Sequence, residues 1–122
     1  MNSLGIDIGT TGICGIIVDC ESGEILDSVN INNDSFIKTD KEYERIQSPE
    51  RITEIVENIV KKLCSAETKA IGISNQMHGI LYANESGKAI SPLYTWQDAR
   101  GNLEYKGGKS YAEHLGSFAG YG

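Results

Sequence analysis

The sequence predicts a mixed α/β domain: a three-stranded antiparallel meander, then a helix, a further strand and an added hairpin. Three observations carry this. Two runs rich in Ile and Val, residues 3–8 and 13–19, flank a glycine-threonine tip. Residues 48–67 repeat apolar side chains at helical spacing, and "KAIGISNQ" (69–76) is a short apolar run that follows them.

In order, "SLGIDI" (3–8) and "ICGIIVD" (13–19) read as the first two strands, joined by Gly9-Thr10-Thr11-Gly12. "CESGE" (20–24) is a second turn, and "EILDSVNI" (24–31) alternates Ile25, Val29 and Ile31 on one face. Residues 32–47 are polar and irregular and read as a loop. The helix over 48–67 opens with Ser48 as N-cap, Pro49 in the first helical position and Glu50 at the positive end of the dipole. Ile52, Ile55, Val56, Ile59, Val60 and Leu63 form its single buried stripe. Residues 69–76 read as a buried strand, and 79–90 as a hairpin turning at Glu85-Ser86-Gly87. After Pro92, "LYTWQDAR" leads into a polar, weakly helical stretch through residue 118 that carries Glu104 and Glu113.

The 122 residues suit one domain. Eleven Lys and Arg against 17 Asp and Glu give a net charge of −6, a poor match to nucleic acid or an anionic membrane surface. Cys14, Cys20 and Cys64 are odd in number and lack metal-ligand spacing, as expected of reduced thiols. "MNSLGIDIG" carries no basic segment followed by an apolar stretch, and no apolar run nears the roughly 18 residues of a membrane span. The expectation is a cytoplasmic location.

Two segments are candidates for chemistry. If Ile6 and Ile8 face the core, Asp7 points the other way, at the end of its strand beside the glycine-rich tip. Glycines let backbone N–H groups approach an anion, threonine hydroxyls add donors, and a nearby carboxylate suits Mg²⁺ held together with phosphate oxygens. The pattern is neither a Walker A loop nor a dinucleotide fingerprint. A glycine-rich hairpin whose Asp and Thr cap the turn remains an equal reading. The second candidate is Gln76, Met77 and His78 just past a strand's C-terminal end, with Trp96, Gln97, Asp98 and Arg100 following. An indole face beside fixed polar groups fits a polyol; taken singly, each residue also fits a core or surface role.

"GIDIGTT" (5–11), "QSPERI" (47–52), "GISNQMHGI" (72–80) and "YTWQDAR" (94–100), in this order, resemble the N-terminal part of the FGGY family of carbohydrate kinases. The resemblance covers essentially the whole chain. It implies a partial ribonuclease H-like domain of the actin and hexokinase-like ATPases, residues 1–122 being the first part of domain I, with that domain's last strand and helix and the ATP-side domain II further on. It implies ATP and Mg²⁺ as cofactors and a ketose as acceptor. By resemblance, Asp7 orients magnesium through water, and Gly9, Thr10, Thr11 and Gly12 line the phosphate path. Gln76, Met77 and His78 contact the ketose, and Trp96 and Asp98 shape the same pocket. Gln-Met-His resembles the ketose-specific branches. Thr-Trp-Gln-Asp and the closing "AGYG" (119–122) resemble sedoheptulose kinases most, with xylulose kinases second.

Two residues depart from the family pattern: Gly12 stands where Ser is common and Cys14 where Lys or Arg is common. The family's catalytic Asp would come after residue 122, so the resemblance implies that this chain alone does not turn over. A non-catalytic sugar-binding or regulatory module, whose incomplete sheet pairs with a second copy along its edge, is the rival reading. An actin-like scaffold ATPase is the third, and "QMHG" and "TWQD" argue against it.

Overall fold

Thr10 and Gln76 lie 66 positions apart in sequence and within hydrogen-bond distance in space, because the first and fifth strands run parallel side by side. The computed structural model describes residues 1–120. Strands β1 (Asn2–Ile8), β2 (Gly12–Asp19) and β3 (Ile25–Asn32) form the expected antiparallel meander. Strand β5 (Thr68–Asn75) then pairs parallel with β1, giving the order β3-β2-β1-β5. A parallel pair needs a crossover, and helix α1 (Pro49–Leu63) supplies it.

Alternation along the strands decides what α1 buries. Leu4 and Ile6 of β1 and Ile13 and Ile17 of β2 face the helix and meet Ile52, Ile55, Ile59 and Leu63. Gly15 makes this approach possible, since a Cβ there would run into Ile59 and Leu63. Ser48 caps α1 by accepting from the Arg51 N–H, as expected. The helix stops at Leu63, earlier than the expected 67: Cys64 is extended and Ser65 N–H turns to the Thr68 hydroxyl.

Other expectations change for physical reasons. Residues 32–47 are not all loop: β4 (Ile46–Gln47) pairs with β6 (Leu93–Tyr94), a non-local partner that local sequence does not show. Strand β5 is exposed where a buried strand was expected. Ile71 and Ile73 sit beside Leu4 and Ile6 on the helix side, but α1 lies over β1, β2 and β3 and leaves them 50% and 63% exposed. The 79–90 segment turns where expected, with Gly87 at φ +78°, but its arms pair only through the Ala83–Ala89 bridge.

The stretch expected to be weakly helical is an added unit. It comprises a 3₁₀ turn (Arg100–Asn102), the short pair β7 (Glu104–Lys106) and β8 (Lys109–Ser110), and helix α2 (Tyr111–Ala119). Glu104 therefore lies in a strand. Glu113 completes a reciprocal capping box with Ser110, which also holds its carboxyl below the usual range. The last two residues of "AGYG", Tyr121 and Gly122, lie outside the described residues. No helix among the described residues is long and apolar enough to cross a membrane.

Candidate functional site

The tip between β1 and β2 is held from behind by two buried amides. Asn33 Nδ2 donates to the Gly9 carbonyl at 2.9 Å, Gln47 Nε2 to the Thr10 carbonyl at 2.8 Å, and the Asn33 backbone N–H to the Thr11 carbonyl at 2.9 Å. In a trans peptide, the next residue's N–H points opposite its carbonyl. Drawing these carbonyls inward therefore turns the N–H groups of Thr10 and Thr11 outward, and among the described residues neither has an acceptor. Gly9 is needed for this shape: a Cβ there would stand 2.6 Å from the Gly12 carbonyl oxygen. The result is a backbone concavity suited to an anion.

Asp7 projects from the face of β1 away from α1, across from Cys14 in β2 and Ser74 in β5. Its Oδ1 accepts from the Ser74 hydroxyl at 2.6 Å, which fixes the carboxylate. Its Oδ2 lies on the Gly9 side, 3.9 Å from where a Cβ on that glycine would be. Cys14 shares a groove with Asp7, Ile16 and Ser74, so a cation at that position would stand beside the carboxylate.

The segment that follows β5 meets the tip directly. Asp7, Gly9, Thr10, Asn75, Gln76, Met77, His78 and Trp96 line one cleft of about 460 Å³. The Gln76 backbone N–H donates to the Ile8 carbonyl, which anchors the end of β5 to β1. The Thr10 hydroxyl is already engaged: it donates to Gln76 Oε1 at 3.1 Å and accepts from the Trp96 indole N–H at 3.2 Å. The outward backbone N–H groups and the exposed Thr11 side chain remain as free donors at the tip. Met77 is 74% exposed, and His78 has φ +59°, the left-handed region in which a His is uncommon.

Asp98 plays a different part from its neighbours. Its carboxylate grips Arg100 in two bonds, Oδ1 to Nε at 2.6 Å and Oδ2 to Nη2 at 3.1 Å, and accepts the Arg45 backbone N–H at 3.0 Å. Burial opposes its ionisation, but the Arg100 side chain and the two backbone donors outweigh that and hold its carboxyl below the ordinary range. The Arg100 guanidinium also lies over the Tyr94 ring, 4.1 Å from its centroid, and reaches Glu44 at 3.2 Å. This cluster fastens the "TWQDAR" turn to the 42–45 segment and so sets where Trp96 stands.

Residues 2–107 match the model of the N-terminal domain of the "FGGY family of carbohydrate kinases". The chain belongs to this family. Among FGGY relatives, a xylulose kinase of Staphylococcus xylosus is 29% identical over 105 residues, covering 83% of this chain and 21% of the relative. A gluconokinase of Bacillus subtilis (strain 168) is 30% identical over 101 residues, covering 80% of this chain and 19% of the relative. Ligand-bound xylulose kinase of Lactobacillus acidophilus shares the fold, with a TM-score of 0.76 and 23% identity, over 98% of this chain and 23% of that one. The chain thus spans about a fifth of the length of the curated relatives it matches. Its fold is that of the corresponding part of these actin and hexokinase-like sugar kinases.

Sequence reasoning missed Asn33 and Gln47, the two side chains that shape this FGGY tip. Both come from the 32–47 segment read as loop, and both are buried polar residues with all their buried atoms paired. A polar residue in a polar stretch gives no local sign of burial. The only sequence cue to Gln47 is its place just before the Ser48-Pro49 helix start.

Proposed function

We propose that this chain is the portion of an ATP-dependent FGGY kinase that carries the first phosphate loop and part of the acceptor site, in an enzyme that phosphorylates a terminal hydroxyl of a ketose. The observation that supports this is the shared cleft, in which an outward-facing backbone concavity and Asp7 lie against Gln76, Met77, His78 and Trp96. The donor set fits Mg-ATP: the N–H groups of Thr10 and Thr11 would receive phosphate oxygens, and Asp7 would hold the metal through water. When bound, that group supplies the transferable phosphoryl and the charge neutralisation it needs.

In this reading the protein's own work is positioning. Gly9 keeps the backbone close to the phosphates, and Ser74 keeps Asp7 in place. The indole face of Trp96 receives the C–H side of the sugar, while Gln76 and His78 orient its hydroxyls. A carboxylate outside these 122 residues takes the acceptor proton. The names of the relatives support xylulose as acceptor, and Trp96-Gln97-Asp98 supports sedoheptulose. A cytoplasmic location follows from the use of ATP. In the isolated chain, the open edge of β5 supports pairing with a second copy.

The test is an ADP-release assay with Mg-ATP on the native gene product, run with xylulose, sedoheptulose, gluconate and glycerol. The expected result is turnover with a ketose and none with glycerol, and the 122-residue chain alone gives none. Tight ketose binding without turnover in the native product would make it a binding module and overturn the reading.

A further inference from the structure

We propose that Gln47 is a positioning residue that holds the phosphate loop and the sugar-side segment as one unit; the role assigned to each end rests on the kinase reading above. The inference comes from a closed ring of side-chain bonds. The Thr10 hydroxyl donates to Gln76 Oε1 at 3.1 Å, Gln76 Nε2 donates to Gln47 Oε1 at 3.0 Å, and Gln47 Nε2 donates back to the Thr10 carbonyl at 2.8 Å. Trp96 joins from outside, through its indole N–H on the Thr10 hydroxyl oxygen.

The ring has one polarity. An indole N–H can only donate, so the Thr10 oxygen accepts from Trp96 and sends its single proton to Gln76. That makes the Gln76 carbonyl face Thr10 and its amide face Gln47, which in turn fixes both ends of the Gln47 amide. Reversing either amide would set N–H against N–H, or oxygen against oxygen, in a site where Gln47 is fully buried. The Thr10 carbonyl belongs to the same peptide group as the Thr11 N–H. Gln47 therefore sets the direction of an unpaired backbone donor at the tip, and the same side chain fixes Gln76 on the sugar side.

Holding β4 in place does not require this side chain. The backbone of Gln47 is already paired with Leu93 and bridged to Phe36, and Ser48 N–H donates to the Ser35 carbonyl. The amide is left to act on the site. A change at Gln76 when a polyol binds would reach the Thr10–Thr11 peptide both through the Thr10 hydroxyl and through the Gln47 amide.

The test is Gln47→Glu in the 122-residue chain, followed by ¹H–¹⁵N NMR. A neutral carboxyl offers one O–H donor and one carbonyl acceptor, which match the two bonds Gln47 makes; an ionised one offers acceptors only. Burial raises the pKa of a carboxyl, so the switch should fall between about pH 5 and pH 8.5. Trp96 is the only tryptophan, so its indole N–H is a single assigned signal. The expected result is that this signal and the Thr10 and Thr11 amides match the wild-type chain at the acid end and move along one titration curve as pH rises. The amides of Leu4 and Ile13 stay in place, and the wild-type chain run over the same range is the reference against which the tip shifts are read. Tip signals like wild type at every pH, or core and tip amides moving together, would overturn the proposal. If Gln47→Glu does not fold, Gln47→Met removes both amide bonds at similar volume and leaves the Thr10–Gln76 bond in place. A shift of the Thr11 amide with Leu4 and Ile13 unmoved then supports the proposal, and an unmoved Thr11 overturns it. The spectra need no turnover, so their failure and a failure of the kinase reading are separate results.

Discussion

The indole N–H of Trp96 donates to the Thr10 hydroxyl at 3.2 Å, joining residues 86 positions apart. This bond brings the "TWQDAR" turn onto the glycine-threonine tip, so that one aromatic face borders both ends of the cleft. Trp96→Phe keeps a smaller aromatic face on a residue that is already 59% exposed, and loses the donor. The expected cost is about 1 kcal/mol of stability, typical of one hydrogen bond, read as a lower urea midpoint by circular dichroism. A loss above about 3 kcal/mol would mean that the indole is mainly a packing residue.

Glycines 9 and 12 should respond differently to a side chain. At Gly9 a Cβ meets the Gly12 carbonyl oxygen at 2.6 Å, and neither atom belongs to a flexible side chain. Gly9→Ala should therefore cost about 2 kcal/mol or more and distort the tip. At Gly12 the nearest atom to a Cβ is Asn30 Oδ1 at 3.4 Å, an ordinary contact. Gly12→Ser, the family's common residue, should stay within about 0.5 kcal/mol of wild type. Thermal melts of the two variants check both.

His78 is the one non-glycine residue with positive φ among the described residues. A β-branched residue suffers most in that region, so His78→Val should cost about 2 kcal/mol, whereas His78→Gly should be nearly neutral. The glycine variant separates backbone from imidazole. In the native gene product it should raise the KM for ketose several-fold more than the KM for ATP. Equal changes in both would remove His78 from the acceptor site.

The Asp98–Arg100 pair makes a pH prediction. The folded-state pKa of Asp98 is below its unfolded value of about 3.9, so the unfolded chain binds more protons in the interval between them. The stabilisation is present at neutral pH and is lost as pH falls below about 4 and through the folded value. Asp98→Asn should lower Tm at pH 7 and flatten its decline towards acid. An Asp98→Asn melt parallel to wild type over the whole range would show that the pair contributes no net stability.

Part of this chain is readable without its structure. Alternating Ile and Val, the Ser48-Pro49 start and the 3,4-spaced stripe of α1 determined the meander, the helix and the core side of β1, β2 and α1, because these signals are local and periodic. In β3 only Val29 and Ile31 reach the core, and Ile25, beyond a register shift in the pairing with β2, is 64% exposed. The same alternation put Asp7 on the face away from Ile6, and glycine content marked the tip as a place of close backbone approach. Ordered motifs were enough to reach the family.

What the tertiary structure decided is which groups remain available. Thr10 has its hydroxyl committed to Gln76 and Trp96, Asp98 is bound to Arg100, and Asn33 and Gln47 emerge from an apparent loop to orient the tip. Each of these facts is a pairing between residues far apart in sequence, and a hydrogen-bonding side chain carries no local mark of its partner. Polar groups become directed only when burial removes water as the alternative partner. Here that burial is created by the parallel seating of β5 beside β1 and the return of β6 onto β4.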